Sequence, residues 1–207
     1  MKKKLIIIIA IIIIAVIFIM CFVKKDYKIL NLGNNMSNKS ADEIKNYILN
    51  INSFNAEVSV KITSNKTTNE YVFSQKYENG KCEQCLLEPS NISGLKIIYD
   101  GNNMHVENTK LNLSQMYENY NYITSNALWL NSFIEDYKSS DDTSVSEEND
   151  TIILQVNTKN ENKYSMIKKL YIDKKTAKPV KMEVQDVTQK LIVYILYNRI
   201  EINNLQV

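Results

Sequence analysis

Glycine and proline are scarce: 4 and 2 among 207 residues. That excludes a collagen-like repeat or Pro-rich disorder, and leaves the turns to asparagine and aspartate. With one histidine and three cysteines, the chain has too few ligands for a recurrent zinc pattern or a dense disulfide framework. Charge of one sign is also missing, the formal net charge being +2. Five lysines (Lys2, Lys3, Lys4, Lys24 and Lys25) flank an apolar run, and the body from Asp26 onward holds 20 basic and 23 acidic residues, a net −3. A weakly acidic body lacks the broad basic face that a phosphate backbone requires, so no nucleic-acid partner is expected. No period of 20 to 50 residues marks a repeat architecture. The length fits one domain with a short appendage.

What the chain has in abundance is isoleucine (28) and asparagine (27). Isoleucine is concentrated at Ile6 to Ile9 and Ile11 to Ile14, inside a run from Leu5 to Val23 of 19 uncharged residues. As a helix this run extends roughly 28 Å, close to the hydrocarbon thickness of a bilayer. In lipid a helix is the one way a single segment satisfies its own backbone. Lys2 to Lys4 hold the N-terminus on the cytoplasmic side, which places the body outside the cytoplasmic membrane. No A-x-A pattern follows the run. Cys21 stands where a lipoprotein cysteine would, but Met20 before it is too large for a lipobox. The expected reading is an uncleaved single-pass anchor over residues 1–25. Lipidation at Cys21 and ordinary secretion are the alternatives, and all three leave the body extracytoplasmic. Residues 26–39 are polar, Asn-rich and aperiodic, as in a tether.

The body, residues 40–207, opens with a helix. Ser40 and Glu43 form a capping box, and Ile44, Tyr47, Ile48 and Ile51 recur at helical spacing. The period then changes to two. Ala56, Val58, Val60 and Ile62 alternate with polar residues, as do Tyr71, Phe73, Gln75 and Tyr77. Further strands are expected at Cys82 to Leu87, Leu95 to Tyr99, Met104 to Glu107, Thr151 to Asn157, Tyr164 to Ile172, Val180 to Asp186 and Gln189 to about Ile202. Asn79-Gly80 is a hairpin turn signal. A second helix, capped by Thr124 or Ser125, carries Leu130, Phe133, Ile134 and Tyr137. The segment from Ser139 to Asp150 reads as a solvated acidic loop without the ligand order of a calcium site. The fold class expected is α+β: an N-terminal transmembrane helix, then a curved antiparallel sheet of eight or nine strands with two helices packed in its open side.

The residues also carry a resemblance. Ala41-Asp42-Glu43-Ile44 through Ile51-Asn52-Ser53-Phe54-Asn55-Ala56 resembles the first helix and strand of the LolA/LolB lipoprotein-carrier superfamily. The run from Leu170 through Ile172-Asp173, Thr176-Ala177 and Pro179-Val180 resembles its strand-turn-strand, with Ala177 where glycine is usual. Leu87-Glu88-Pro89 and Gly94-Leu95-Lys96-Ile97-Ile98-Tyr99-Asp100-Gly101-Asn102 resemble clostridial germination lipoproteins of the GerS type. The resemblance implies an incomplete antiparallel barrel. It also implies a non-enzymatic role in the cortex or germination of a spore-forming bacterium, by support of a cell-wall (N-acetylmuramoyl-L-alanine) amidase. The forespore intermembrane space is the implied location. The other reading is a lipid or lipoprotein binding or transfer protein, or an acyl-chain sensor.

Candidate chemistry is thin. Alternation puts His105 and Glu107 on one face of a strand, where a carboxylate can orient a base. No serine or cysteine in a nucleophile motif accompanies them, so His105 is read as a surface or rim residue and no catalytic residue is assigned. Cys82-Glu83-Gln84-Cys85 is a C-x-x-C in a strand context, where i and i+3 face opposite sides. Structural thiols are expected there, with a disulfide or a metal or redox pair as alternatives. Tyr71, Phe73, Tyr77, Trp129 and Phe133 are expected in the core, and an acyl-binding cavity lined by them is the alternative. No cofactor and no metal are assigned. The partners expected are a protein, the membrane, and on the second reading a lipid.

Overall fold

The computed structural model describes residues 39–120, 127–158 and 166–203. The chain divides into two units after Asn34, and all described residues fall in the second. The Leu5 to Val23 run, Cys21, the tether up to Asn38, and the Thr124 and Ser125 caps lie outside the described residues. Among the described residues no helix is long and apolar enough to cross a membrane.

Helix α1 (Ala41–Leu49) begins at the capping box the sequence spells out: Ser40 N–H donates to Glu43 Oε2 at 2.8 Å, and Glu43 N–H returns to Ser40 Oγ at 3.2 Å. Nine residues are marginal as an isolated helix. Ile44 and Ile48 are fully buried, and at about 1.5–3 kcal/mol per buried aliphatic side chain this burial supports the helix.

The strands that follow are β1 (Ser53–Thr63), β2 (Thr68–Glu78), β3 (Lys81–Glu88), β4 (Leu95–Tyr99), β5 (Met104–Asn108) and β6 (Leu113–Tyr117). Helix α2 (Leu130–Ser139) comes next, then β7 (Thr143–Glu148), β8 (Thr151–Asn157), β9 (Ile167–Asp173), β10 (Lys178–Gln185) and β11 (Leu191–Ile202). All eleven belong to one antiparallel sheet in the order β6-β5-β4-β3-β2-β1-β11-β10-β9-β8-β7. Two meanders thus meet at the β1–β11 pair, where Val58 faces Tyr197 and Val60 faces Ile195. The sheet is open, with β6 and β7 as its edges, and α2 carries the chain from one edge to the other.

Two strands exceed the sequence expectation, and both are edges. Ser139 to Asp150 is not a free loop: Thr143–Glu148 pairs with β8 from end to end. Only Val145 reaches the core there, so no alternation announced the strand. Ladder bonds and ion pairs define it instead, with Lys174 bonded to Glu147 and Lys175 to Asp150 at 2.6 Å. Helix α2 starts at Leu130, with Trp129 as a cap residue that makes no side-chain cap bond. Its first turn is held by burial of Leu130 and Phe133 rather than by a polar cap.

One sheet face is apolar and is covered by both helices. Phe54, Val58, Ile152, Leu154, Val156, Leu170, Ile172, Met182 and Ile195 are fully buried with Trp129, Leu130 and Phe133. Leu130, Phe133, Ile134 and Tyr137 are all buried as one stripe, as their spacing requires. The Asn79-Gly80 turn takes φ values of 47° and 84°, the left-handed pair that a two-residue hairpin needs. At the β9–β10 turn Ala177 occupies the left-handed region at φ 53°, with its methyl fully buried and its N–H donating to Asp173 O at 2.8 Å. The turn keeps its shape without glycine.

Candidate functional site

Burial along the inner sheet face is uneven. It is complete on β1, where Val58 is 0% exposed, and near complete on β3, where Leu86 is 4%. On β4 and β5, Leu95, Ile97, Met104 and Val106 are half-buried, and every residue of β6 is exposed. Helix α1 packs on β7 and α2 on β8, so cover is best on the second meander and thins toward β6.

The five aromatics differ in burial. Trp129 and Phe133 are closed into the core at 0% exposure. Tyr71, Phe73 and Tyr77 lie on the inner face of β2 and are half-buried. Phe54 joins the two groups, its ring centroid 5.7 Å from Tyr77 and 6.4 Å from Trp129, while Tyr71 and Phe73 stand 5.9 Å apart. Three surface clefts of about 450, 350 and 540 Å³ are lined by other residues, among them Lys76, Glu83 and Tyr99; Asn55, Ser74 and Arg199; and Ile62, Lys190 and Val193.

Cys82 is buried on the inner face and Cys85 lies half-buried on the outer one; both are free thiols. Burial pushes the Cys82 thiol up to about 12 and raises that of Cys85 as well. Such thiols are poor nucleophiles at neutral pH. Strand geometry separates the C-x-x-C pair, as expected. Among the described residues no group of three or more His, Cys, Asp or Glu side chains is placed to hold a metal.

The outer face of β5–β6 holds a relay that the sequence half revealed. His105 Nδ1 is 3.3 Å from Glu107 Oε1, on the shared face that alternation predicts. Its Nε2 is 2.6 Å from Ser114 Oγ on the neighbouring strand. Ser114 was missed because its contact depends on register: Glu107 faces Ser114, and His105 faces Met116. The serine-histidine-carboxylate order matches that of acyl-transfer enzymes. The setting does not. Sheet N–H groups lie in the plane of the sheet while these side chains stand out of it, so the strands themselves offer no paired backbone donors to a carbonyl attacked above this face. The three residues are a cross-strand polar network.

A second feature links α2 to the sheet. Lys168, on the inner face of β9 and 2% exposed, places Nζ 2.5 Å from Asp136 Oδ2 and 2.8 Å from Ser132 Oγ. Burial pulls the Lys168 value down, against the pull of Asp136. Burial also raises neighbouring Glu135, with the Asp136 charge adding to it. The signal was present in the sequence, since Lys168, Leu170 and Ile172 alternate on one face. Gln75 and Gln84, opposite one another on β2 and β3, are each 2% exposed. Gln75 Nε2 donates to Leu128 O at 3.2 Å and ties the segment before α2 to the sheet.

Comparison with known proteins places this architecture. A family model described as "Sporulation protein YdcC-like" matches residues 1–205. No curated protein matches the sequence. An uncharacterized conserved protein from Thermus thermophilus is similar in structure at 13% identity, with 81% of this chain and 90% of that one covered and a TM-score of 0.52. A chain in the structure of the CwlD amidase from Clostridioides difficile in complex with the GerS lipoprotein is similar at 23% identity, over 78% of this chain and 93% of that one, also with a TM-score of 0.52. The neighbours include a LolA superfamily protein from Nitrosomonas europaea at 12% identity, covering 81% and 96%, with a TM-score of 0.42. The first two likenesses establish a shared fold.

Proposed function

The chain belongs to the YdcC-like sporulation protein family, and on that premise we propose that it is a membrane-tethered, extracytoplasmic helper that acts by binding a protein, with a cell-wall amidase as its partner. The observation that carries the reading is the fold shared with a chain of the amidase–GerS complex. The body's own chemistry agrees with it. Burial raises both described thiols, which disfavours the thiolate, and the His105 network projects out of the plane that holds the strand N–H groups. A protein without catalytic groups raises an enzyme's activity by binding its active conformation more tightly than the inactive one. Tethering by residues 1–25, with the body outside the cytoplasmic membrane, would place it where cell-wall enzymes act.

Affinity purification of the full chain from sporulating cells tests this. Recovery of the amidase, together with a germination defect in the deletion strain, is the expected result. Normal germination and no recovered amidase would sink the reading.

A second reading, an acyl-chain sensor, is favoured by the half-buried Tyr71, Phe73, Ile97 and Met104 on the inner face. Native mass spectrometry of the purified chain decides it: a retained lipid supports the sensor, and a mass equal to the protein alone opposes it.

A further inference from the structure

Antiparallel pairing sends every second turn of a sheet to the same end. Along the strand order, the β10–β11, β1–β2, β3–β4 and β5–β6 turns therefore stand in a row. Neighbours in that row are two strand spacings apart, so the row is roughly 28 Å long. Its surface is apolar. Leu87, Ile92, Leu111, Leu113, Val187 and Leu191 lie in these turns or within two residues of them, and they are 40 to 65% exposed. The turns of the opposite end (Asn79-Gly80, Asp100 to Asn103, Asn149-Asp150 and Lys174 to Ala177) contain no exposed large apolar residue. Met116, Tyr117, Tyr120 and Val180, exposed toward that end, lie outside those turns.

Three lysines stand among the aliphatic tips. Lys110 Nζ donates to Ser90 O at 2.9 Å and to Ser93 Oγ at 2.5 Å, which ties the β5–β6 turn to the β3–β4 turn. Lys190 Nζ donates to Asn65 Oδ1 at 3.3 Å and ties the β10–β11 turn to the β1–β2 turn. Ile62, Ile192 and Val193 line the 540 Å³ cleft beside this second pair. These acceptors are neutral, and Lys66 is in no ion pair among the described residues. Asp186 is the one acid in the four turns, and it is occupied by the N–H groups of Thr188 and Lys190 and by the Thr188 hydroxyl. Three lysines against one aspartate give the turns +2, in a body whose net charge is −3. The adjoining strand ends add only Glu88.

We infer that this end of the sheet is a membrane-docking surface, whose aliphatic turn tips enter the interface of an anionic bilayer while Lys66, Lys110 and Lys190 meet lipid phosphates. Apolar side chains spread over separate turns offer no contiguous core of the kind that a protein interface buries, whether with another protein or with a second copy of this chain. Each tip enters a bilayer on its own, and a lysine stem lies along apolar surface with its ammonium at headgroup level. The local excess of lysine draws this end, rather than the acidic remainder of the body, to anionic lipid. The two lysine ties hold the turns in pairs, so little freedom is lost on contact. The inference rests on the reading that the body works beside a membrane, and not on its partner being an amidase.

The test uses the full chain in vesicles of phosphatidylcholine and phosphatidylglycerol, with a photo-crosslinking residue in place of Ile92, Leu111 or Val187, of Asn102 at the opposite end, or of Ile12 in the apolar run. The expected result, read by mass spectrometry, is a lipid adduct from each of the three turn positions and none from Asn102. The Lys66 side chain makes no bond in the fold, so Lys66→Glu should leave the melting temperature unaltered. It should lower the adduct yield from Val187 by about fivefold, the factor for one lysine near an anionic surface. Vesicles of phosphatidylcholine alone should lower the yield at all three. No lipid adduct from the turns, an equal yield from Asn102, adducts to a second copy of this chain in their place, or a yield indifferent to Lys66→Glu or to removal of phosphatidylglycerol each overturns the docking end. Ile12 tests the tether separately. Adducts from the turns without one from Ile12 would keep the docking end and remove the tether, and an adduct from Ile12 alone would do the reverse.

Discussion

At the scale of single residues, the most consequential group is Lys168. Its ammonium is held under α2 by Asp136 and Ser132. Removing one partner of a buried ion pair leaves the other charge uncompensated, at a cost of about 3–5 kcal/mol, while replacing both by apolar residues of similar size is often neutral. Urea unfolding should therefore find Lys168→Met strongly destabilised and the double variant Lys168→Met/Asp136→Leu restored close to the parent. Equal loss in both would mean that the pair contributes packing alone. Carboxylates divide by sign. The Ser40 N–H and hydroxyl hold Glu43 below its ordinary value, and the Asn103 and Asn102 N–H groups do the same for Asp100. A depressed acid contributes stability that is full above the ordinary carboxylate range and is lost as pH falls through the folded value. Glu135 is raised by burial, so its charged form costs stability once pH rises through its folded value. Melting temperature against pH should thus fall below about pH 4, less steeply in Glu43→Gln. Glu135→Gln should raise it at neutral pH, with the gain vanishing in acid. No gain at neutral pH would show that Glu135 is solvated in the native state.

Among the elements, the helices depend on tertiary packing. Phe133, 0% exposed on α2, and Phe73, half-buried on β2, are chemically identical and should behave differently. Phe133→Ala should cost about 3–5 kcal/mol as a core cavity, and Phe73→Ala clearly less. Comparable losses in denaturant unfolding would mean that the β2 face is as closed as the α2 core. This contrast also marks what the sequence reveals. The capping box, the α2 stripe and the period-two strands from β1 to β5 and β8 to β11 were legible, because burial of one face imposes a pattern. Strands β6 and β7 were not, because an edge strand exposed on both faces has no pattern to impose. The described α2 begins at Leu130, where hydrophobic burial rather than a polar cap holds the first turn. Of the functional features, the His105–Glu107 pair followed from alternation. Ser114 did not, since cross-strand register cannot be read from one strand. Of the five aromatics proposed for one lining, Trp129 and Phe133 are closed into the core and Tyr71, Phe73 and Tyr77 lie along β2. Side-chain spacing says which face a residue takes but not how far the helices cover that face.

For the molecule as a whole, the helices cover the open sheet unequally. Helices α1 and α2 close the second meander, and the first is left with a half-covered inner face. On the proposed function, a helper built this way would hold a partner in a chosen conformation and leave the chemistry to it. Purified full chain in detergent, titrated into the cell-wall amidase made by the same bacterium during sporulation, with peptidoglycan hydrolysis as the readout, tests that directly. The expected result is no hydrolysis by the chain alone and a rise in amidase activity that saturates at a fixed ratio of the two proteins. Hydrolysis by the chain alone, or amidase activity indifferent to its addition, would contradict it.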